Sequence, residues 1–110
     1  MIQCYWWCIL EVKGIINAIK KSMKDKDYDF VPTSKNRSSR HKYGLTQYDI
    51  EEFIASLEEE DIIKGPEVDR DYPDEELFIF KKEIIKDVKF YVKVKYKNNQ
   101  IKIISCHEDE

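Results

Sequence analysis

The sequence predicts an α+β fold in which two N-terminal helices pack on a small antiparallel sheet of about three strands. Two stretches carry apolar residues at helical spacing: Ile9, Val12, Ile15, Ile16 and Ile19, then Ile50, Phe53, Ile54 and Leu57. A third stretch alternates as a strand does, with Val88, Phe90, Val92, Val94 and Tyr96 on one face and Lys89, Tyr91, Lys93, Lys95 and Lys97 on the other. With 110 residues, 42% of them apolar and 37% charged, the chain has material for one hydrophobic core and so for one domain.

The first helix is expected over most of residues 5 to 22, with residues 1 to 8 readable as an N-terminal extension of the domain. Met1 to Leu10 is apolar, but Glu11 and Lys13 end the run far short of a membrane span and no basic region precedes it. That predicts a cytoplasmic protein with no membrane partner. Trp6 and Trp7 read as core anchors or as the contact of a homodimer. Three cysteines, an odd number, argue for a reducing compartment. Cys4 and Cys8 lie one helical turn apart, whereas Cys106 and His107 are strand neighbours that point to opposite faces. The cysteines therefore read as small buried hydrophobes, with no metal or other cofactor implied.

Met23 to Tyr43 reads as a mostly irregular loop, because Pro32 biases Val31 away from helix and polar residues predominate. This is the basic part of the chain, with Lys35, Asn36, Arg37, Ser38, Ser39 and Arg40 offering ammonium, amide, guanidinium and hydroxyl donors to phosphates. A solvated loop with no ligand is the other reading of the same charges. Thr46 then caps the second helix, Asp49 completes a short capping box, and Glu51, Glu52 and Glu58 to Glu60 read as its solvent face.

Gly65-Pro66 reads as a breaker, followed by an acidic loop of Glu67, Asp69, Asp71, Asp74, Glu75 and Glu76 around Pro73. It lacks the oxygen ladder and central glycine of a calcium loop, which leaves a solvated loop or a docking surface for a basic partner. Leu77 to Phe80 is a short strand, Lys81 to Asp87 a turn, Val88 to Tyr96 the long strand, and Lys97 to Gln100 a hairpin into Ile101 to Cys106. A cationic strand face carrying Tyr91, with His107 on the next strand, is equipment for holding a phosphodiester and moving protons around it.

The chain resembles the motility quorum-sensing regulator (MqsR) toxin family, whose fold is similar to that of RelE-type messenger RNA interferases. The resemblance spans roughly residues 9 to 107. It rests on Lys35-Asn36, the run Tyr43 to Asp49, the segment Asp61 to Asp69, then Phe80, Tyr91-Val92-Lys93 and Ser105-Cys106-His107. Where the family usually ends this pattern Ser-Phe-His, Cys106 stands in the middle, and Leu77 to Lys81 replaces a Trp-containing stretch. The resemblance implies a toxin of a type II toxin–antitoxin system, a sequence-selective and metal-independent endoribonuclease on mRNA that its cognate antitoxin neutralises. It also implies a catalytic set of Lys64, Tyr91, Lys93 and His107, while the charges of the basic loop and of the strand face themselves suggest RNA contacts at Lys35, Asn36, Arg37, Arg40 and Lys95. A noncatalytic toxin-like module that binds a partner protein or RNA is the alternative.

Under the ribonuclease reading Lys64 and Lys93 clamp the scissile phosphate. Tyr91 and His107 move protons, with His107 favoured as acid because imidazole titrates near neutrality. The hairpin supplies a geometric condition. A two-residue turn at Asn98-Asn99 pairs Tyr96 with Ile101 and sends His107 to the Phe90 and Val92 face. A longer turn or a bulge brings Tyr91 opposite His107 and Lys93 opposite Ser105. The net charge of -3 opposes phosphate binding unless the acidic side chains, concentrated at residues 49 to 76 and 108 to 110, leave a local positive cleft.

Overall fold

A computed structural model describes residues 2–68, 71 and 75–109, with side chains undescribed for residues 2–11 and 68. The side chains of Cys4, Trp6, Trp7 and Cys8, together with Asp69, Pro73, Asp74 and Glu110, therefore lie outside the described residues. Helix α1 (Ile2–Asp25) runs beyond both expected ends. It stops where Lys26 takes a positive φ of 57° and the Asp27 N–H reaches back to the Ser22 carbonyl at 2.9 Å, the six-to-one bond that closes many helices.

Three α-helices and five strands replace the expected two and three among the described residues. Strand β1 (Asp29–Phe30) and helix α2 (Ser34–Lys42) both lie where a loop was expected. Thr33, directly after Pro32, caps α2 by accepting the Asn36 N–H at 3.1 Å, so the proline precedes the helix without interrupting it. Helix α3 (Gln47–Ala55) opens on the Thr46–Asp49 capping box that the sequence predicts. A 3-10 turn (Glu59–Asp61) leads into β2 (Ile62–Val68). The sheet continues through β3 (Glu76–Ile85), β4 (Val88–Lys97) and β5 (Gln100–Glu108).

The sheet order is β1-β5-β4-β3-β2, antiparallel except for β1, which runs parallel to β5. Gly65-Pro66 lies within β2 and does not end it. Gly65 has φ +115°, and a Cβ there would sit 2.5 Å from the Leu77 carbonyl oxygen of β3, so only glycine fits this close approach.

The helices cover one sheet face. Ile15, Ile16, Ile19 and Met23 from α1 and Ile50, Phe53, Ile54 and Leu57 from α3 meet Phe78, Phe80, Phe90, Val92, Val94, Ile101, Ile103 and Cys106. Phe53 and Phe90 pack edge to face at 5.9 Å. Glu51, expected on the solvent face of α3, is buried instead: its carboxylate accepts from Lys26 Nζ and Tyr28 Oη, each at 2.6 Å, and ties α3 to the end of α1. Those two donors hold the Glu51 carboxyl below its ordinary pKa, while burial and then the Glu51 bond push Tyr28 up to about 12.

Candidate functional site

The site begins with the β4–β5 hairpin. Asn98 and Asn99 take φ of 51° and 64°, as a two-residue hairpin turn of the tight-twisting type requires, and Lys97 pairs with Gln100 and Tyr96 with Ile101. This register buries Ile101 and Ile103 beside Val92 and Val94. Continued without interruption it would carry His107 to the core face.

Ile104 interrupts it. Val94 pairs with Ile103 but Lys93 pairs with Ser105, so Ile104 is the surplus residue of a β-bulge. Past the bulge Cys106 is buried, where desolvation pushes its thiol up to about 12, and Ser105 and His107 turn to the outer face. Both registers offered by the sequence thus occur, one on each side of Ile104. Tyr91 stands opposite His107, the two rings 5.5 Å apart and within 20° of parallel.

Two cross-strand rows lie on this outer face. One runs Lys81, Tyr91, His107; the other runs Lys64, Ile79, Lys93, Ser105. Lys64 and Lys93 are two strand spacings apart, about 10 Å at the backbone. His107 Nδ1 lies 3.0 Å from the Glu108 carbonyl oxygen. A carbonyl only accepts, so Nδ1 carries the hydrogen and Nε2 is the nitrogen left to exchange a proton.

Beside the ring pair a cleft of about 580 Å³ opens between β5 and α2, bordered by Ser34, Lys35, Ser38, Tyr91, His107 and Asp109. Most cations of the face are matched to carboxylates: Lys64 to Glu67 at 3.1 Å, Lys81 to Asp109 at 3.0 Å, Lys95 to Glu75 at 3.0 Å and Lys97 to Glu75 at 3.7 Å. Among the described residues Lys93, in the middle of the face, has no carboxylate partner. Glu108 is drawn away toward Tyr43 and Lys42, whose bonds hold its carboxyl below the usual range. The acidic end of β5 is therefore largely matched within the fold.

The expected RNA-contact residues separate. Lys35 borders the cleft, and Arg37 is exposed about 200° farther round α2. Arg40 donates to the Leu45 carbonyl at 3.1 Å and to Gln47 at 3.0 Å, Lys95 is paired as above, and Asn36 is only 2% exposed with its amide bonded inside the fold. Lys81 and Ser34 belong to the site and were not singled out in the sequence. For Lys81 the signal was present, because it lies one residue beyond buried Phe80 and so must face outward.

Among the described residues no three His, Cys, Asp or Glu side chains group as a metal site, and no helix is long and apolar enough to cross a membrane. No curated protein and no solved structure matches the chain. The profile of one family, described as motility quorum-sensing regulator, toxin of MqsA, matches residues 14–108. That stretch contains α2, α3, the five strands and every residue of the two outer-face rows. By this match over nearly its whole length, the chain belongs to the motility quorum-sensing regulator family of toxins.

Proposed function

We propose that the chain is a cytoplasmic endoribonuclease that cuts messenger RNA on the outer face of its sheet, selects its cleavage sequence, needs no metal, and is held in check by a cognate antitoxin. The observation that carries this reading is the stacked Tyr91–His107 pair beside Lys93, a cation in the middle of the face with no carboxylate partner among the described residues. RNA brings its own nucleophile. The ribose 2′-OH loses a proton and attacks phosphorus, the charge on the phosphorane oxygens is neutralised, and the departing 5′-oxygen gains a proton. Lys93, with Lys64 across Ile79, supplies the neutralising charge. His107, through Nε2, protonates the leaving oxygen, and Tyr91 sits where it can exchange the other proton. Lys35 at the cleft holds the neighbouring phosphate, and Arg37 is a more distant contact.

The purified protein, incubated with mixed-sequence RNA in EDTA, is expected to cut at selected sites. Tyr91→Phe and His107→Ala are each expected to lower the rate by about 10²–10⁴-fold, the usual contribution of a positioned proton-transfer group. The lysines paired with carboxylates favour a second reading, a module that binds a partner protein without cutting. Intact RNA from folded protein that binds a partner would establish that reading and end the first.

A further inference from the structure

We propose that Asn36 is a positioning residue: its buried amide selects the bulged form of β5 and so places His107 on the face of Tyr91. This rests on the ribonuclease reading only for its effect on activity; the placement itself stands on the geometry.

The argument starts from the outer edge of β5. In a regular strand successive carbonyls point to opposite sides, yet Ile103 and Ile104 both accept hydrogen bonds from the β1–α2 side. Ile103 accepts from the Val31 N–H at 3.0 Å and Ile104 from Asn36 Nδ2 at 3.1 Å. The second carbonyl is the one the bulge leaves over. Asn36 Nδ2 also donates to the Val31 carbonyl at 2.8 Å, and its Oδ1 accepts the Cys106 N–H at 2.9 Å. One side chain therefore holds the strand on both sides of Ser105, directly after β1 has stopped pairing with β5 at Ile103. Farther on, Ser39 Oγ accepts the Glu108 N–H at 2.9 Å, so α2 finishes with side chains the ladder that β1 begins with backbone.

The competing arrangement is a β5 that runs on regularly from the turn. It would need no partner for a surplus carbonyl, but it would turn Cys106 outward and His107 into the core. Asparagine suits the bulge because its amide donates and accepts at once. Leucine has nearly the same shape and can do neither.

The experiment compares three variants: Asn36→Leu, deletion of Ile104, and the two combined. Deleting Ile104 gives a regular strand in which Ser105, Cys106 and His107 keep their present faces without a surplus carbonyl. The readouts are nuclear Overhauser contacts between the Tyr91 and His107 rings, and RNA cleavage with kcat and KM measured separately. Asn36→Leu is expected to lose the ring contacts and, with His107 turned from the site, to lower kcat by about 10²–10⁴-fold, as removing its imidazole does, with KM little changed. The Ile104 deletion is expected to keep the contacts, and the combined variant to regain them. Ring contacts that persist in Asn36→Leu overturn the proposal. So does a combined variant that lacks them or fails to fold, since Asn36 would then serve the fold at large. If the unaltered protein cuts no RNA, the functional reading falls while the ring contacts still decide the role of Asn36.

Discussion

The two edges of the sheet are finished in opposite ways, and the site draws on both. At the β5 edge backbone pairing with β1 passes directly into buried side-chain bonds from Asn36 and Ser39. At the β2 edge no further strand pairs with the sheet among the described residues. The pairing of β2 with β3 slips twice between Ile62 and Glu67, and Ile63 is 54% exposed. Tyr91 and His107 lie near the covered edge, whereas Lys64 stands on the open one, its ammonium resting against Glu67. Under the proposed ribonuclease reading, the groups that must meet at a fixed distance to pass protons are placed where the backbone is locked, and the cation that only has to reach a phosphate stands on the open edge.

The sharpest way to break this contrast is Asn36→Ala. It strips partners from the Ile104 carbonyl and the Cys106 N–H, and at about 1–3 kcal/mol for each orphaned group it is expected to cost about 2–6 kcal/mol in urea unfolding. A loss no larger than that of an average surface substitution would mean the covered edge is not locked. On the open edge, Gly65→Ala forces a Cβ against the Leu77 carbonyl at a φ of +115°. It is expected to cost about 1–3 kcal/mol, with faster amide exchange in β2 and none in β5.

Lys64→Ala should leave stability within about 0.5 kcal/mol, because an exposed ion pair with Glu67 contributes little, while raising KM for RNA. Acid gives the smallest effect. Tyr43 and Lys42 hold the Glu108 carboxyl below its ordinary 4.5, so the stability it adds is present above that value and is lost as pH falls through the lower, folded one. The melting temperature difference between the unaltered protein and Glu108→Gln should therefore shrink as pH drops below 4.5.

What the sequence disclosed follows from which residues carry periodicity. Helix α3 was legible because Thr46 and Asp49 cap an apolar stripe, and β4 because its alternation is strict. Helix α2 was not, since its buried positions are Asn36 and Ser39, polar residues three apart that leave no apolar stripe to detect. Glu51 was misread for a related reason: its burial depends on Lys26 and Tyr28, which precede it by more than twenty residues. Gly65-Pro66 reads as a breaker by composition, whereas an edge strand tolerates proline and here admits it. Tyr91 and His107 could be named from the sequence, but their meeting could not. Their shared face depends on whether β5 holds one residue more than its ladder needs, and that is settled by a helix nearly 70 residues upstream.

The hairpins β3–β4 and β4–β5 close over a few residues, while the bonds from Asn36 to β5 span 68 and 70. Contacts that close long loops form late in folding, because chain entropy opposes them until neighbouring structure is in place. The order of assembly then runs from hairpins to helix closure, with φ-values expected to be high at the Asn98-Asn99 turn and near zero at Asn36. On this schedule the chain acquires its sheet before it acquires a paired tyrosine and histidine, so that, on the proposed ribonuclease reading, the toxin is armed only at the last step of folding.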